Sequence, residues 1–413
     1  MANSSAPWTT GSIQPLLYVE GYPSQLSYVA GDTIELHIST SATTFSIVVE
    51  RIGVARELVL TEAALPGTAH PVPETCASEG CGWPTAHSFV VPETWRSGFY
   101  EVTMHVEDGG GTFTHRGKRT AESVLSFVVR SPQPGRDTKV LLQLSTNSWA
   151  AYNNYGGFSV YGFHGINKVQ GHKASFDRPM GTGLYYSWEH FFVVWAEKNG
   201  YTIDYASNSD LEERPELLES YSLVLSVGHD EYWSSGMRDG LEAWIARGGH
   251  VAFFSGNAVC WQTRTEDNGR SFTCWKQWYN QDPAYQGSGS GTGFGGGGSE
   301  FTEPKHDAIT TLWSHHLVGR PENHLTGVGF LWGGYHKSHG QLMDESGAYT
   351  VHVPEHWVFD ECGLSEGDEF GADHTVVGCE CWCCCCCCCS YLRLAVYRAV
   401  WFMYHPYSCC VLR

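Results

Sequence analysis

The sequence is short of positive charge. Its 413 residues carry 25 lysines and arginines against 44 aspartates and glutamates, a formal net charge of −19. A nucleic-acid groove or an anionic membrane surface calls for the opposite balance, so neither is expected as a partner. Long apolar runs are missing as well, and none approaches the roughly 20 residues of a spanning helix. The start, "MANSSAPWTT", has no basic stretch followed by an apolar one, so no secretory leader is read and the expected location is the cytoplasm. No set of histidines and cysteines has zinc spacing, and HExxH does not occur. Cysteine is sparse before Glu380, where only Cys76, Cys81, Cys260, Cys274, Cys362 and Cys379 are found. The other ten crowd into the end of the chain, seven of them consecutive at 383–389. That run matches neither zinc spacing nor a disulfide framework, so 381–413 is read as an aberrant Cys-rich tail foreign to the fold, with a soft-metal tract as the alternative.

What is present reads as two units. After an N-terminal tail (1–13), residues 14–130 carry strand-like alternation. Ile34, Leu36 and Ile38 share one face, as do Tyr100, Val102, Met104 and Val106, and Leu125, Phe127 and Val129. Short strands with Gly, Pro and Asp between them predict a β-sandwich. "SPQPGRD" (131–137) reads as a linker. From 138 to 380 the pattern changes to buried strands alternating with helices: "KVLLQLS", a long loop, "SWEHFFVVWAEKNG" stopped by Gly200, "YTIDYAS", a short helix with Pro215 in its first turn, "SLVLSV", a helix capped by Ser234 or Ser235, and "HVAFFSG". This predicts a doubly wound parallel α/β sheet, with ligands at the carboxyl ends of its strands. Residues 286–300 are a Gly/Ser-rich loop, read as a surface insertion.

Three clusters fall at those strand ends: "TNSWAAYNNYGG", "GHDEYWS" and "SGNAVCW". His229 and Glu231 are two apart on extended backbone and can face the same side. An imidazole and a carboxylate in one crevice suit acid–base work or metal ligation, and equally a hydrogen-bonded turn. Tyr152 and Tyr155 open onto the same edge, or pack a long loop. Tyr100 lies on the apolar face of its strand, as a core tyrosine would. Cys260 follows a strand where a nucleophile could sit, yet "GNAVCWQ" lacks the glycine-flanked elbow. A Cys260-nucleophile amidase and a non-catalytic β-sandwich and α/β binding protein are among the readings left open.

In order along the chain, "LLQLSTNSWAAYNNYGG", "FDRP", "WAEKNGYTIDYASNSDL", "LVLSVGHDEYWS", "GGHVAFFSGNAVCWQ", "GRPENHLTGVGF" and "HWVFDECGL" resemble the large (beta) subunit family of N,N-dimethylformamidase, over roughly residues 95–380. The resemblance implies an amidotransferase-like catalytic region. It also implies an amidohydrolase with one ferric ion (Fe3+) held by two tyrosines and a carboxylate beside a histidine. Carried over, the metal ligands are Tyr152, Glu231 and, across intervening loops, Tyr100, with Tyr155 or Tyr161 as substitutes for Tyr100. His229, Asn257 and Lys276 are the expected catalytic residues, and Tyr232 and Trp233 are wall residues. Oxygen donors suit a hard trivalent ion. The substrate would be a small amide, with dimethylformamide no better a guess than another. Family members are longer at the N-terminus and work with a small subunit, which is not evident here; a homo-oligomer is compatible with the sequence.

Overall fold

The computed structural model describes residues 16–108, 119–286, 305–327, 349–356, 359–360, 362–370 and 411–412. The tail 1–13, the Gly/Ser-rich loop beyond Gln286 and all of 381–413 except Val411–Leu412 fall outside these.

The alternation of the N-terminal strands is realised as two sheets that share one apolar core. The elements are β1 (Val19–Pro23), β2 (Ser27–Tyr28), β3 (Thr33–Thr40), β4 (Thr44–Ile52), β5 (Arg56–Pro66), β6 (His87–Val90), β7 (Gly98–Asp108) and β8 (Arg119–Val129), with a one-turn helix, α1 (Cys76–Glu79), before β6. One sheet has the order β1-β3-β6 and the other β2-β8-β7-β4-β5. Ile34, Leu36 and Ile38 from the first meet Val49, Tyr100, Val102 and Phe127 from the second in one core. Each of the three predicted apolar faces is buried.

The four expected buried strands are β9 (Val140–Leu144), β11 (Asp204–Ser207), β12 (Leu223–His229) and β14 (His250–Gly256), with β10 (Lys173–Ser175) standing outside their sheet. They run parallel in the order β11-β9-β12-β14. Side chains on one face join α5 (Asn208–Glu213) and α6 (Ser235–Ala246) in a core around Trp233 and Leu241. Those on the other face pack with α3 (Gly183–Ser187) and α4 (Glu189–Lys198). The predicted helix ends hold: Gly200 has φ +80° after α4, and Ser234 Oγ accepts the Met237 N–H at the start of α6. One local expectation is corrected. The "long loop" after β9 opens as a helix, α2 (Thr146–Tyr152), because "TNSWAAY" buries six consecutive side chains. The short helix with Pro215 in its first turn is present as a 3-10 helix, Pro215–Ser220, and α5 before it is a second helix that the pattern did not show.

A further four-stranded sheet had no trace in the sequence pattern. It joins β10 to β13 (Tyr232–Ser234), β15 (Trp261–Glu266) and β16 (Ser271–Thr273) in the order β10-β16-β15-β13. Three of its four strands, β10, β13 and β16, have three residues each, too few for a readable period. The described residues of the tail, Val411–Leu412, pair antiparallel with Ala252 and Phe253 of the edge strand β14. An edge strand presents unpaired main-chain groups that accept such a segment. Among the described residues no helix is long and apolar enough to cross a membrane.

The glycine of "SVGHD" is required sterically. Gly228 has φ +95°, and a Cβ there would lie 2.5 Å from Trp188 Cβ. Next to it Glu189 is fully buried; its Oε1 accepts the Ser145 N–H at 3.3 Å and its Oε2 has no hydrogen-bond partner. Burial raises its pKa to about 8. The folded protein therefore keeps this proton up to about pH 8, whereas the unfolded chain loses it near pH 4.5. Between those values the unfolded state binds fewer protons, so stability falls as pH rises, by roughly 1.4 kcal/mol per pH unit for this group. Glu189→Gln is expected to flatten the decline in melting temperature from pH 5 to pH 8; an unchanged slope would refute it.

Candidate functional site

The site forms where β12 ends. Extended backbone puts His229 and Glu231 on one side and Asp230 on the other. His229 Nε2 lies 3.1 Å from Glu231 Oε2, so the shared side read from the sequence is correct. Asp230 is buried behind them. It accepts hydrogen bonds from Gln143 Nε2 at 2.6 Å, Ser226 Oγ at 2.8 Å and Asn208 Nδ2 at 3.2 Å, tying β9, β12 and α5 together. Burial raises its pKa to about 6 despite those bonds. The Glu231 N–H donates to Ser148 Oγ of α2 at 3.0 Å, which locks the turn to the helix that ends in Tyr152.

Glu231 collects the cluster. Tyr161 Oη donates to its Oε2 at 2.7 Å. Tyr152 Oη lies 3.3 Å from the same oxygen and 3.0 Å from His229 Nε2. Trp261 Nε1 donates to Oε1 at 2.8 Å. Burial by itself would raise the Glu231 carboxyl, but hydrogen bonding and charge from His229, then the Lys276 charge and the Tyr161 hydroxyl, outweigh it and hold the pKa at about 2. Burial, followed by the Glu231 charge, raises the Tyr161 phenol strongly. The Lys276 ammonium sits 3.3 Å from the centroid of the Tyr161 ring and 5.1 Å from those of Tyr232 and Trp261. Burial lowers the Lys276 pKa and the Glu231 charge opposes it. The aromatic faces and the Glu231 anion favour its charged form, against the burial that disfavours it.

Strained backbone gathers here. Asn257, Val259 and Lys276 have φ of +52°, +55° and +54°. Such values are costly for side-chain-bearing residues, most of all for β-branched valine, and they concentrate at sites where geometry is imposed. Asn257 follows Gly256, which pairs in register with His229, so it stands at the same sheet edge as the cluster. Tyr152, Glu231 and Asn257 therefore share the predicted edge.

Tyr100 does not join them. Its side chain points into the core between the N-terminal sheets, stacked on Trp95 at 5.0 Å, with its hydroxyl donating to Arg96 O at 2.7 Å. Strand alternation explains this, because the neighbour Phe99 takes the outward face and stacks on Tyr185 of the α/β region at 3.8 Å. Tyr161 occupies the position that had been expected of Tyr100. Tyr155, the other substitute, donates instead to Glu20 Oε1 at 2.8 Å. Tyr232 is more than a wall residue, since its hydroxyl donates to Tyr161 Oη at 2.7 Å. Trp233 is buried in the core and donates to Asp230 O. Cys260 is buried directly before Trp261. The sequence reading missed Ser148, Trp261 and Trp188, whose ring stacks on His229 at 5.9 Å. The one signal that could have found Trp261 was its place in the "SGNAVCW" strand-end cluster.

Three oxygen donors, Tyr152 Oη, Tyr161 Oη and Glu231 Oε2, thus converge beside an imidazole. Among the described residues no group of three or more His, Cys, Asp or Glu side chains is arranged to hold a metal ion, so a metal here would need the phenols. As a donor set, two phenols and a carboxylate suit a hard, highly charged cation.

A family model described as "N,N-dimethylformamidase beta subunit-like, C-terminal" matches residues 46–384. The match begins inside β4, well before the resemblance read from the motifs. Two curated proteins are similar: the N,N-dimethylformamidase beta subunit of Alcaligenes sp, 26% identical over 231 residues, and that of Paracoccus aminophilus, 24% identical over 231 residues. Each match covers 46% of this chain and 29% of the relative. The chain thus spans less than a third of the length of the curated relatives it matches.

Proposed function

We propose, from the premise that this chain belongs to the N,N-dimethylformamidase beta subunit-like family, that it is an iron-dependent hydrolase of the C–N bond of a small amide. The observation that carries this reading is the convergence of two phenols, one from the end of α2 and one from the loop that follows it, on a single carboxylate oxygen. Tyr152, Tyr161 and Glu231 would hold one ferric ion. Bound there, the ion supplies a Lewis acid for the amide carbonyl and acidifies water near neutral pH. Lys276, lying against Tyr161 and within reach of the Glu231 charge, favours the anionic forms of both. Asn257, at the same edge, orients the carbonyl and stabilises charge developing on its oxygen. His229 holds a proton at Nε2 and delivers it to the departing amine nitrogen. Trp261 and Ser148 fix the carboxylate and its turn.

In the same reading the two N-terminal sheets form a β-sandwich, the parallel sheet is amidotransferase-like, and 131–137 divides them. By analogy with relatives named as beta subunits, the chain acts within an assembly. The location that goes with this reading is the cytoplasm.

The test is elemental analysis with a visible spectrum. Phenolate on ferric iron absorbs visible light by charge transfer, so the expected result is about one iron per chain and a coloured protein that hydrolyses small amides. A colourless, metal-free protein that hydrolyses amides and is silenced by iodoacetamide would sink this reading in favour of Cys260. His229 separates proton transfer from ligation. His229→Ala is expected to keep iron and colour while turnover falls by about 10²–10⁴-fold, the range for general acid–base help. Retained turnover would remove His229 from the mechanism.

A further inference from the structure

Arg178, in the stretch "FDRP", is fully buried, and every hydrogen bond of its guanidinium ends on a main-chain carbonyl. Nε donates to Ser175 O at 3.0 Å. Nη1 donates to Tyr155 O at 2.7 Å and Phe158 O at 3.2 Å, and Nη2 to Asn153 O at 3.1 Å and Ala150 O at 3.4 Å. Buried arginines ordinarily pair with an acid. Here carbonyl dipoles take that role. Burial lowers its pKa only to about 10, with Cys76 and Cys81 opposing the fall, so the charge survives at neutral pH.

Four of the five acceptors belong to residues 150–158, the segment that leaves α2 and carries the chain from Tyr152 to Tyr161. Residues 153–161 contain no helix or strand that would set their shape. Two glycines at positive φ, Gly156 at +83° and Gly157 at +89°, let the segment turn. The clasp is mutual, because Asn153 Nδ2 donates to Pro179 O at 3.0 Å. Arg178 is itself anchored from behind. The Cys81 N–H donates to Asp177 O at 2.7 Å, the Phe176 N–H donates to Arg270 O at 2.9 Å, and Arg270 pairs with the Asp177 carboxylate.

We propose that Arg178 is the positioning residue of the phenol pair: its fork of donors winds residues 150–158 into one shape and so fixes the Tyr152 and Tyr161 hydroxyls over Glu231. The proposal rests on the reading that these phenols hold iron. Lysine cannot replace it, since a single ammonium presents three donors from one point and cannot span carbonyls on both sides of the loop.

The experiment compares wild type with Arg178→Lys and with the milder Asn153→Ala, which breaks the same clasp from the other side. Three quantities are read: amide hydrogen exchange of 153–161 in metal-free protein, affinity for ferric iron with the position of the charge-transfer band, and melting temperature. For Arg178→Lys, exchange in 153–161 rises while the N-terminal sheets keep their protection. Iron binding weakens by about 10–100-fold, the usual cost of losing a group that orients ligands, and the band shifts. Asn153→Ala moves the same quantities less. Unchanged exchange and iron affinity in both variants would overturn the proposal. So would exchange raised uniformly over the chain with the band unmoved, which is what a general packing role produces. If wild type binds no iron, the metal reading fails, while the exchange arm on metal-free protein still decides whether Arg178 shapes the loop.

Discussion

Glu231→Ala is expected to remove iron, colour and amide hydrolysis together. Its Oε2 is the point at which both phenols and His229 meet. Without it a cation would lose one of three anionic donors and the anchor that aims the other two. The Lewis-acid contribution is worth several kcal/mol, and each 1.4 kcal/mol is a factor of ten, so turnover should drop by at least about 10³-fold. Alanine also leaves the Trp261 N–H and the tyrosine hydroxyls without their acceptor in a buried place, at about 1–3 kcal/mol for each unsatisfied group. Glu231→Gln is therefore the companion variant. It can keep the Trp261 bond and most of the stability while removing the charge. Iron content, absorbance and turnover are measured on both. A Glu231→Gln protein that keeps stoichiometric iron and its colour would show that the carboxylate is not a ligand.

The second large effect separates two tyrosines. Tyr161→Phe should bleach the protein and lower iron affinity by orders of magnitude. It preserves the aromatic face on which the Lys276 ammonium rests, so local packing and the lysine survive. Tyr100→Phe should leave iron and colour intact. Its cost is the hydrogen bond to Arg96 O, about 1 kcal/mol, seen as a small fall in melting temperature. The reverse outcome, iron lost with Tyr100→Phe and kept with Tyr161→Phe, would restore the ligand set implied by the motifs and require the N-terminal sheets to move against the site. Tyr232→Phe is informative beside them, because its hydroxyl donates to Tyr161 and its loss should shift the band without bleaching it.

Much of this site was legible because it depends on local rules. Side chains two apart on extended backbone share a side, which was enough to join His229 to Glu231. Parallel α/β sheets present ligands at strand ends, which was enough to bring Tyr152, Glu231 and Asn257 to one edge. Tyr100 was misplaced for an equally physical reason. Its alternation pattern allowed a core role, and the resemblance outweighed that pattern. Tyr232 was misjudged because a residue adjacent to Glu231 should point away from it. The start of β13 and the short loop containing Tyr161 bring the two hydroxyls together regardless.

By itself the sequence determined the periodicities, and with them the two N-terminal sheets, the four parallel strands, the helix caps and the pairing of His229 with Glu231. These follow from steric and hydrophobic rules acting within about ten residues. The tertiary structure alone decided which second phenol reaches Glu231, that Trp261 holds the other carboxylate oxygen, that Lys276 lies on the Tyr161 ring, and that Arg178 clasps the loop between the phenols. Each of these contacts joins residues whose separation is set by irregular turns, such as Gly156–Gly157 and the strained Asn257–Val259 bend. Irregular backbone has no period to read, and its shape is chosen by what it packs against.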